Sequence, residues 1–207
     1  MPNFNRVEII TSTLKIPELS KILDSDKVTG YTLIENLSGK GNRGSFYDDF
    51  GREFSNSYIS AICQNQEQFN YLIDSILPIL KTTGGLCLVT QSESIGSDQT
   101  PKQIDLVSDI MEEVKKIEII IDTFWVEDIT RILDSVSVTG YTIIKDTSGK
   151  DDRGLFCSDI GCSFSNSYII TVCKNEKQLN SLVEKITPIL KKLGGVCLVT
   201  EAKWVNN

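Results

Sequence analysis

No histidine occurs anywhere in the 207 residues. That absence removes the imidazole ligands of most zinc and copper sites, together with every Ser-His and Cys-His nucleophile arrangement. Most hydrolase chemistries fall with it. Basic runs are also missing, and 21 Lys and Arg stand against 28 Asp and Glu. The resulting net charge of −7 repels phosphate polymers and anionic lipid surfaces. No apolar stretch approaches the roughly 20 residues of a membrane span, and the start MPNFNRVEII has no signal-peptide core. A cytoplasmic location is therefore expected. Six cysteines are present but no CxxC pair. Cys63, Cys87, Cys173 and Cys197 sit in the apolar runs SYISAIC, GGLCLVT, SYIITVC and GGVCLVT, where a free thiol packs as a small hydrophobe rather than binding metal.

What is present is an ordinary globular composition, 40% hydrophobic and 24% charged, with room for one large or two small cores. The segment TGYTLIENLSGKGNRGSF at residues 29–46 returns as TGYTIIKDTSGKDDRGLF at residues 139–156. The same offset of 110 residues pairs Glu8 with Glu118, Asp24 with Asp134, Phe54 with Phe164 and Pro78 with Pro188, without a gap. About half of the aligned positions are identical, so the chain is a tandem duplication rather than a short-period solenoid. The expected division is 1–93 for the first domain, 94–115 for a linker with a short helix after Pro101, and 116–207 for the second domain.

Hydrophobic period orders the elements within each copy. Val7, Ile9 and Ile10, matched by IEIII at 117–121, read as a strand. Ile16, Leu19, Ile22 and Leu23, with counterparts Val126, Ile129, Ile132 and Leu133, recur at helical spacing. VTGYTLIENL and EFSNSYISAIC read as two strands that bracket a polar loop. Phe69, Leu72, Ile73, Ile76 and Leu80 mark a second helix, ended by Gly84-Gly85 before the short strand GLCLVTQ. Pro78 and Pro188 predict a kink or break in that helix. The order is βαββαβ, which predicts an α+β fold of two tandem ferredoxin-like domains, each an antiparallel sheet with two helices on one face.

The loop SGKGNRGSFYDDFG, residues 38–51, is longer than a hairpin turn of about 2–5 residues. Gly39, Gly41 and Gly44 allow close backbone approach, Lys40 supplies a point charge, and Arg43 supplies a fork suited to phosphate or carboxylate. An anion site and a solvated, inert loop both fit these residues. Retention of Gly39, Lys40, Arg43 and Gly44 as Gly149, Lys150, Arg153 and Gly154 favours the site.

These residues resemble the PII signal-transduction family, and more closely its PII-like branch that regulates bicarbonate uptake in cyanobacteria. The resemblance covers both repeats. It rests on the element order, on Gly30-Tyr31-Thr32 and Gly140-Tyr141-Thr142 at the second strand, on the GKGNR loop, and on Gly84-Gly85 and Gly194-Gly195 before the last strand. It implies a compact trimer, not an enzyme, with an adenine nucleotide (ATP, ADP, AMP or cyclic AMP) as effector in clefts between domains. Gly30 and Thr32 would line the base and ribose side, Lys40 and Arg43 would reach the phosphates, and Gly84 and Gly85 would offer amides from a neighbouring subunit. The long loop, the T-loop of the family, would engage a partner transporter or enzyme of carbon or nitrogen metabolism.

The second copy departs from that pattern. Asp151 and Asp152 replace Gly41 and Asn42, so the local charge near Lys150 and Arg153 falls from about +2 to about 0 and anion binding weakens. That site would be weak, silent or assisted by Mg²⁺. No basic residues follow the last strand of the kind that clamp nucleotide in ordinary PII proteins. Tyr47 falls where the family can carry a modified residue, although its counterpart is Cys157; Cys157 and Cys162 could pair in the second loop. Two domains per chain suggest three chains, six domains in all, with unlike domains alternating in one ring as the other arrangement. Competing functions are a divalent-metal trimer of the cation-tolerance type, which the missing His disfavours, a scaffold that has lost nucleotide binding, and an enzyme using Asp151 and Asp152.

Overall fold

The computed structural model describes residues 3–42, 44–46, 55–93, 110–151, 154–156 and 165–206. They form two compact units. The first comprises Met1–Leu37, Phe46–Glu113 and Glu201–Asn207; the second comprises Ser38–Ser45 and Val114–Thr200. Each unit thus takes one short segment from the other repeat.

In the first unit β1 (Asn3–Ser12) leads through a short 3-10 turn into α1 (Ile16–Leu23). There follow β2 (Tyr31–Gly41), β3 (Gly44–Phe46), β4 (Asn56–Cys63), α2 (Gln66–Thr83) and β5 (Leu86–Glu93). β1 is central, pairing antiparallel with β4 on one side and β5 on the other, so that Ile9 lies opposite both Ile59 and Cys87. β2 pairs with the outer side of β4. Alternation along the strands sends Val7, Ile9, Ile59, Ala61, Cys63, Cys87 and Val89 into one cluster. Ile16, Leu19 and Leu23 of α1 and Phe69, Leu72, Ile76 and Leu80 of α2 cover the same face. Each fully buried Leu, Ile or Phe stabilises the unit by about 1.5–3 kcal/mol, which makes this two-helix cover the main source of its stability.

The second unit repeats the plan with β6 (Met111–Asp122), α3 (Val126–Ser135), β7 (Tyr141–Thr147), a small hairpin of β8 (Gly149–Asp151) and β9 (Gly154–Phe156), β10 (Asn166–Cys173), α4 (Glu176–Leu193) and β11 (Val196–Val205). β10 pairs antiparallel with β6 and β7. Ile117, Ile119, Ile121, Ile129, Leu133, Ile169, Leu182 and Ile186 form its core. The chain is α+β.

Three local readings change. α2 and α4 run unbroken through Pro78 and Pro188. Both prolines are exposed, so the helical hydrogen bond each removes lies on the solvent side, while Ile76, Ile79 and Leu80 hold α2 to the sheet. The start of the expected polar loop is strand: β2 continues to Gly41 and β3 follows. The final strand of the second copy, expected to be short, extends to Val205, because Ala202 and Val205 are buried in the first unit. The expected linker helix after Pro101 lies outside the described residues, as do Tyr47, Cys157 and Cys162. Among the described residues no helix is long and apolar enough to cross a membrane.

Candidate functional site

On the first unit an open cleft of about 280 Å³ is lined by Thr29, Gly30, Tyr31 and Thr32 at the start of β2 and by Ser60, Ile62 and Gln64 at the end of β4. Three of the residues singled out from the sequence, Gly30, Tyr31 and Thr32, are therefore brought together. Their positions follow from the register, since Tyr31 lies opposite Ala61 and Thr32 opposite Ser60.

Helix α2 fixes the rim. Asn65 caps it by accepting from the Gln68 backbone N–H at 3.0 Å, which satisfies one of the orphan donors of the first turn. The Gln68 side chain then accepts from the Gln64 N–H at 2.9 Å and donates to Thr29 Oγ1 at 2.8 Å. One amide thereby ties both ends of the cleft to the helix. Arg6 Nε donates to Ser60 Oγ at 3.0 Å, while its Nη2 donates to the Tyr58 hydroxyl at 2.6 Å and lies 3.3 Å from buried Glu8. A guanidinium thus stands behind the cleft floor. Burial and the Glu8 carboxylate push the Tyr58 pKa far up, so its hydroxyl stays a proton donor to Glu8. Tyr31 donates to Asp24 Oδ1 at 2.8 Å, and that bond raises its pKa.

The equivalent edge of the second unit is closed. Residues 38–40 of β2 pair with β7, Ser38 opposite Ile143, Gly39 opposite Thr142 and Lys40 opposite Tyr141. Lys40 Nζ donates to Asp134 Oδ1 at 2.9 Å, and this exposed pair holds the ammonium pKa above its ordinary value. The approach is close enough to require glycine on both sides. A Cβ on Gly39 would lie 2.3 Å from the Tyr141 carbonyl oxygen, and one on Gly140 would lie 2.5 Å from that of Lys40. Lys40, Gly41, Gly140, Tyr141 and Thr142 are thus assembled in this unit.

Gly84 and Gly85 are not among the residues that line the cleft. They turn the chain from α2 into β5, and a Cβ on Gly85, at φ 144°, would meet the Ile10 carbonyl oxygen at 2.7 Å. Gly195 repeats this at φ 118° against Ile120. Arg43, Asp152 and Arg153 lie outside the described residues, and Lys150 and Asp151 are described only as backbone of β8.

Nitrogen regulatory protein P-II matches the chain twice, over residues 4–98 and 114–206. The chain belongs to the P-II family. It is a tandem duplication of a PII-like domain. No curated protein matches it. Among solved structures, CPII, a nitrogen regulatory PII-like protein from Thiomonas intermedia K12 bound to ADP, AMP and bicarbonate, is 28% identical. That match covers 45% of this chain and 89% of CPII, with a TM-score of 0.42. A second CPII structure, bound to ADP and bicarbonate, is 29% identical over 45% of this chain and 89% of its own, at a TM-score of 0.41. A PII-like signaling protein from Thermus thermophilus is 13% identical over 46% of this chain and 92% of its own, at a TM-score of 0.39.

The sequence reading of this P-II chain missed Arg6, Ser60, Gln64 and Gln68. Their signal was present in the repeat: Gln68 returns as Gln178, which makes the same bond to the Lys174 N–H at 2.9 Å. Arg6 and Glu8 return as Lys116 and Glu118, a pair 2.9 Å apart in which Lys116 is buried and Glu118 partly so, with Tyr168 donating to Glu118. The apolar-run cysteines are confirmed as free thiols, Cys63, Cys87 and Cys173 buried and Cys197 partly so. Burial pushes Cys63 up to about 12 and Cys173 to about 11, so neither is a thiolate at neutral pH. Among the described residues no cluster of three acidic, Cys or His side chains could hold a metal ion.

Proposed function

We propose that this P-II protein is a cytoplasmic signalling regulator, not an enzyme, that binds a small anionic effector, an adenine nucleotide, in its clefts. Its T-loops would then control a partner transporter or enzyme of carbon or nitrogen metabolism. Each repeat is taken as a ferredoxin-like domain, with boundaries at 1–93 and 116–207, and three chains are the favoured assembly. The observation that supports this reading is the cleft at Gly30, Tyr31 and Thr32. It offers an apolar wall in Ile62, hydroxyl and amide groups from Thr32, Ser60 and Gln64, and a guanidinium behind Ser60. An apolar wall with a few oriented polar groups suits a base and ribose. Its volume of about 280 Å³ lies just below the ~300 Å³ lower end of small-molecule pockets, so further groups complete it. Lys40 and Arg43, with Lys150 and Arg153 in the second copy, are assigned to the phosphates, and Gly84, Gly85, Gly194 and Gly195 to main-chain contacts. Asp151 and Asp152 make the second site weaker or dependent on Mg²⁺.

Calorimetric titration with ATP, ADP, AMP and cyclic AMP, with and without Mg²⁺, tests the proposal. One nucleotide binds the wild type, and both Ile62→Glu and Arg43→Ala weaken it by at least about tenfold, since each sets the local charge against an anion. Absence of binding to all four overturns it.

A further inference from the structure

Two hydroxyls of the cleft on the first unit, those of Ser60 and Thr29, are held by groups that can only donate. A guanidinium has no acceptor, and Arg6 Nε donates to Ser60 Oγ at 3.0 Å. Its direction is fixed from behind, because Nη2 donates to the Tyr58 hydroxyl at 2.6 Å and lies 3.3 Å from Glu8, both of them buried. At Thr29 the same polarity arises from an amide. The Gln64 N–H donates to Gln68 Oε1, so it is the NH₂ of that carboxamide that meets Thr29 Oγ1, at 2.8 Å. Ser60 and Thr29 each receive a proton, and neither donates its own to any described residue. A hydroxyl has one proton to give, so both protons are left for whatever occupies the cleft. The second repeat has neither device. Lys116 and Ile170 stand in place of Arg6 and Ser60, Lys116 Nζ donates to Glu118 at 2.9 Å, and Ile170 is 1% exposed. Gln178, the repeat of Gln68, donates to the Ser137 carbonyl at 2.8 Å and the Val136 carbonyl at 3.4 Å rather than to Thr139. Guanidinium and hydroxyl are lost together, as expected of a pair that acts as one unit.

We infer that Arg6 is a positioning residue which, through Ser60, makes the first-repeat cleft choose its effector by a hydrogen-bond acceptor, with Gln68 acting in the same sense through Thr29. This rests on the nucleotide reading above and deepens it: the ligand atom over Ser60 is an acceptor, a ring nitrogen or ribose oxygen, and not an amino group. An occupant without an acceptor there strands the Ser60 proton, and an unpaired hydroxyl weakens binding by about tenfold. Glu8 balances the guanidinium charge, so what Arg6 adds is direction rather than attraction for anions.

Calorimetric titration of the full chain with ADP and with its 1-deaza, 3-deaza, 7-deaza and 2′-deoxy analogues, each lacking one acceptor, tests this. At least one analogue should bind the wild type about tenfold more weakly than ADP. Ser60→Ala should weaken ADP binding by a similar factor and should bind that analogue as well as it binds ADP, while Ser60→Thr, which keeps the hydroxyl, should retain the wild-type preference. Arg6→Lys, the residue that already stands beside Glu118 and Tyr168 in the second repeat, should weaken ADP binding several-fold in the wild type and leave it unchanged in Ser60→Ala. A purely structural Arg6 would lower the unfolding midpoint without moving the ratio between ADP and the analogue. The inference is overturned if no analogue is discriminated, if Ser60→Ala keeps the discrimination, or if Arg6→Lys weakens ADP binding equally with and without the Ser60 hydroxyl. Those outcomes leave nucleotide binding intact, whereas a wild type that binds no adenine nucleotide overturns the function proposed above and this inference with it.

Discussion

At the scale of single residues, the least exposed titratable groups decide how this protein responds to alkali. The Cys63 pKa rises from an ordinary 9.0 to about 12, and that of Cys173 from 9.0 to about 11, both through burial. A raised folded-state pKa means that the folded chain prefers the protonated thiol. The stability this contributes is fully present below the unfolded pKa and is lost as pH rises through the folded one. Urea midpoints should therefore stay level below about pH 9 and fall between about pH 9 and 12, with Tyr58 adding to the loss at the upper end. A midpoint that stays level to pH 12 would show that these thiols are not buried in solution. Residue types were legible here in advance, since four cysteines in apolar runs read as core. The Arg6 to Ser60 bond was not, because it joins side chains 54 residues apart.

At the scale of elements, periodicity located all four helices, and capping explains where two of them begin. Asn65 and Asn175 each accept from the backbone N–H three residues on, at 3.0 and 2.9 Å. Asn65→Ala should lower unfolding free energy by about 1 kcal/mol, and Asn175→Ala by a similar amount, measured by urea titration. Asn65→Ala should also loosen Gln68 and with it Thr29 and Gln64, so hydrogen exchange at 29–32 should quicken in that variant alone. If exchange there is unchanged, the rim is held by something other than the capped first turn. The prolines show the limit of element-level reasoning: propensity argued for a kink or break, and burial of the apolar face on both sides of Pro78 kept the helix continuous.

At the scale of the whole molecule, each compact unit depends on a segment from the other repeat. Lys203 and Trp204 lie opposite Val89 and Leu88, the Asn206 N–H donates to the Ile110 carbonyl at 2.8 Å, and Val205 is buried in the first unit's core. A chain ended after Thr200 should lose at least about 2 kcal/mol through the cavity left by Val205. Hydrogen exchange should show the loss in β5 of the first repeat, more than 100 residues away in sequence. Protection of β5 equal to the wild type would mean that the C-terminal strand is not part of that unit's sheet.

The sequence by itself determined that the chain has no imidazole to offer, because it contains no histidine. It also determined the duplication, the order of strands and helices, and the family, because repetition, hydrophobic period and short motifs are local and survive without coordinates. Only the tertiary structure decided what separates residues that are identical in the two copies. Thr32 and Thr142 have the same neighbours in sequence, yet one is exposed and the other is covered by residues 38–40. Burial and close approach are set by strands that arrive from about a hundred residues away, and no local pattern carries that information.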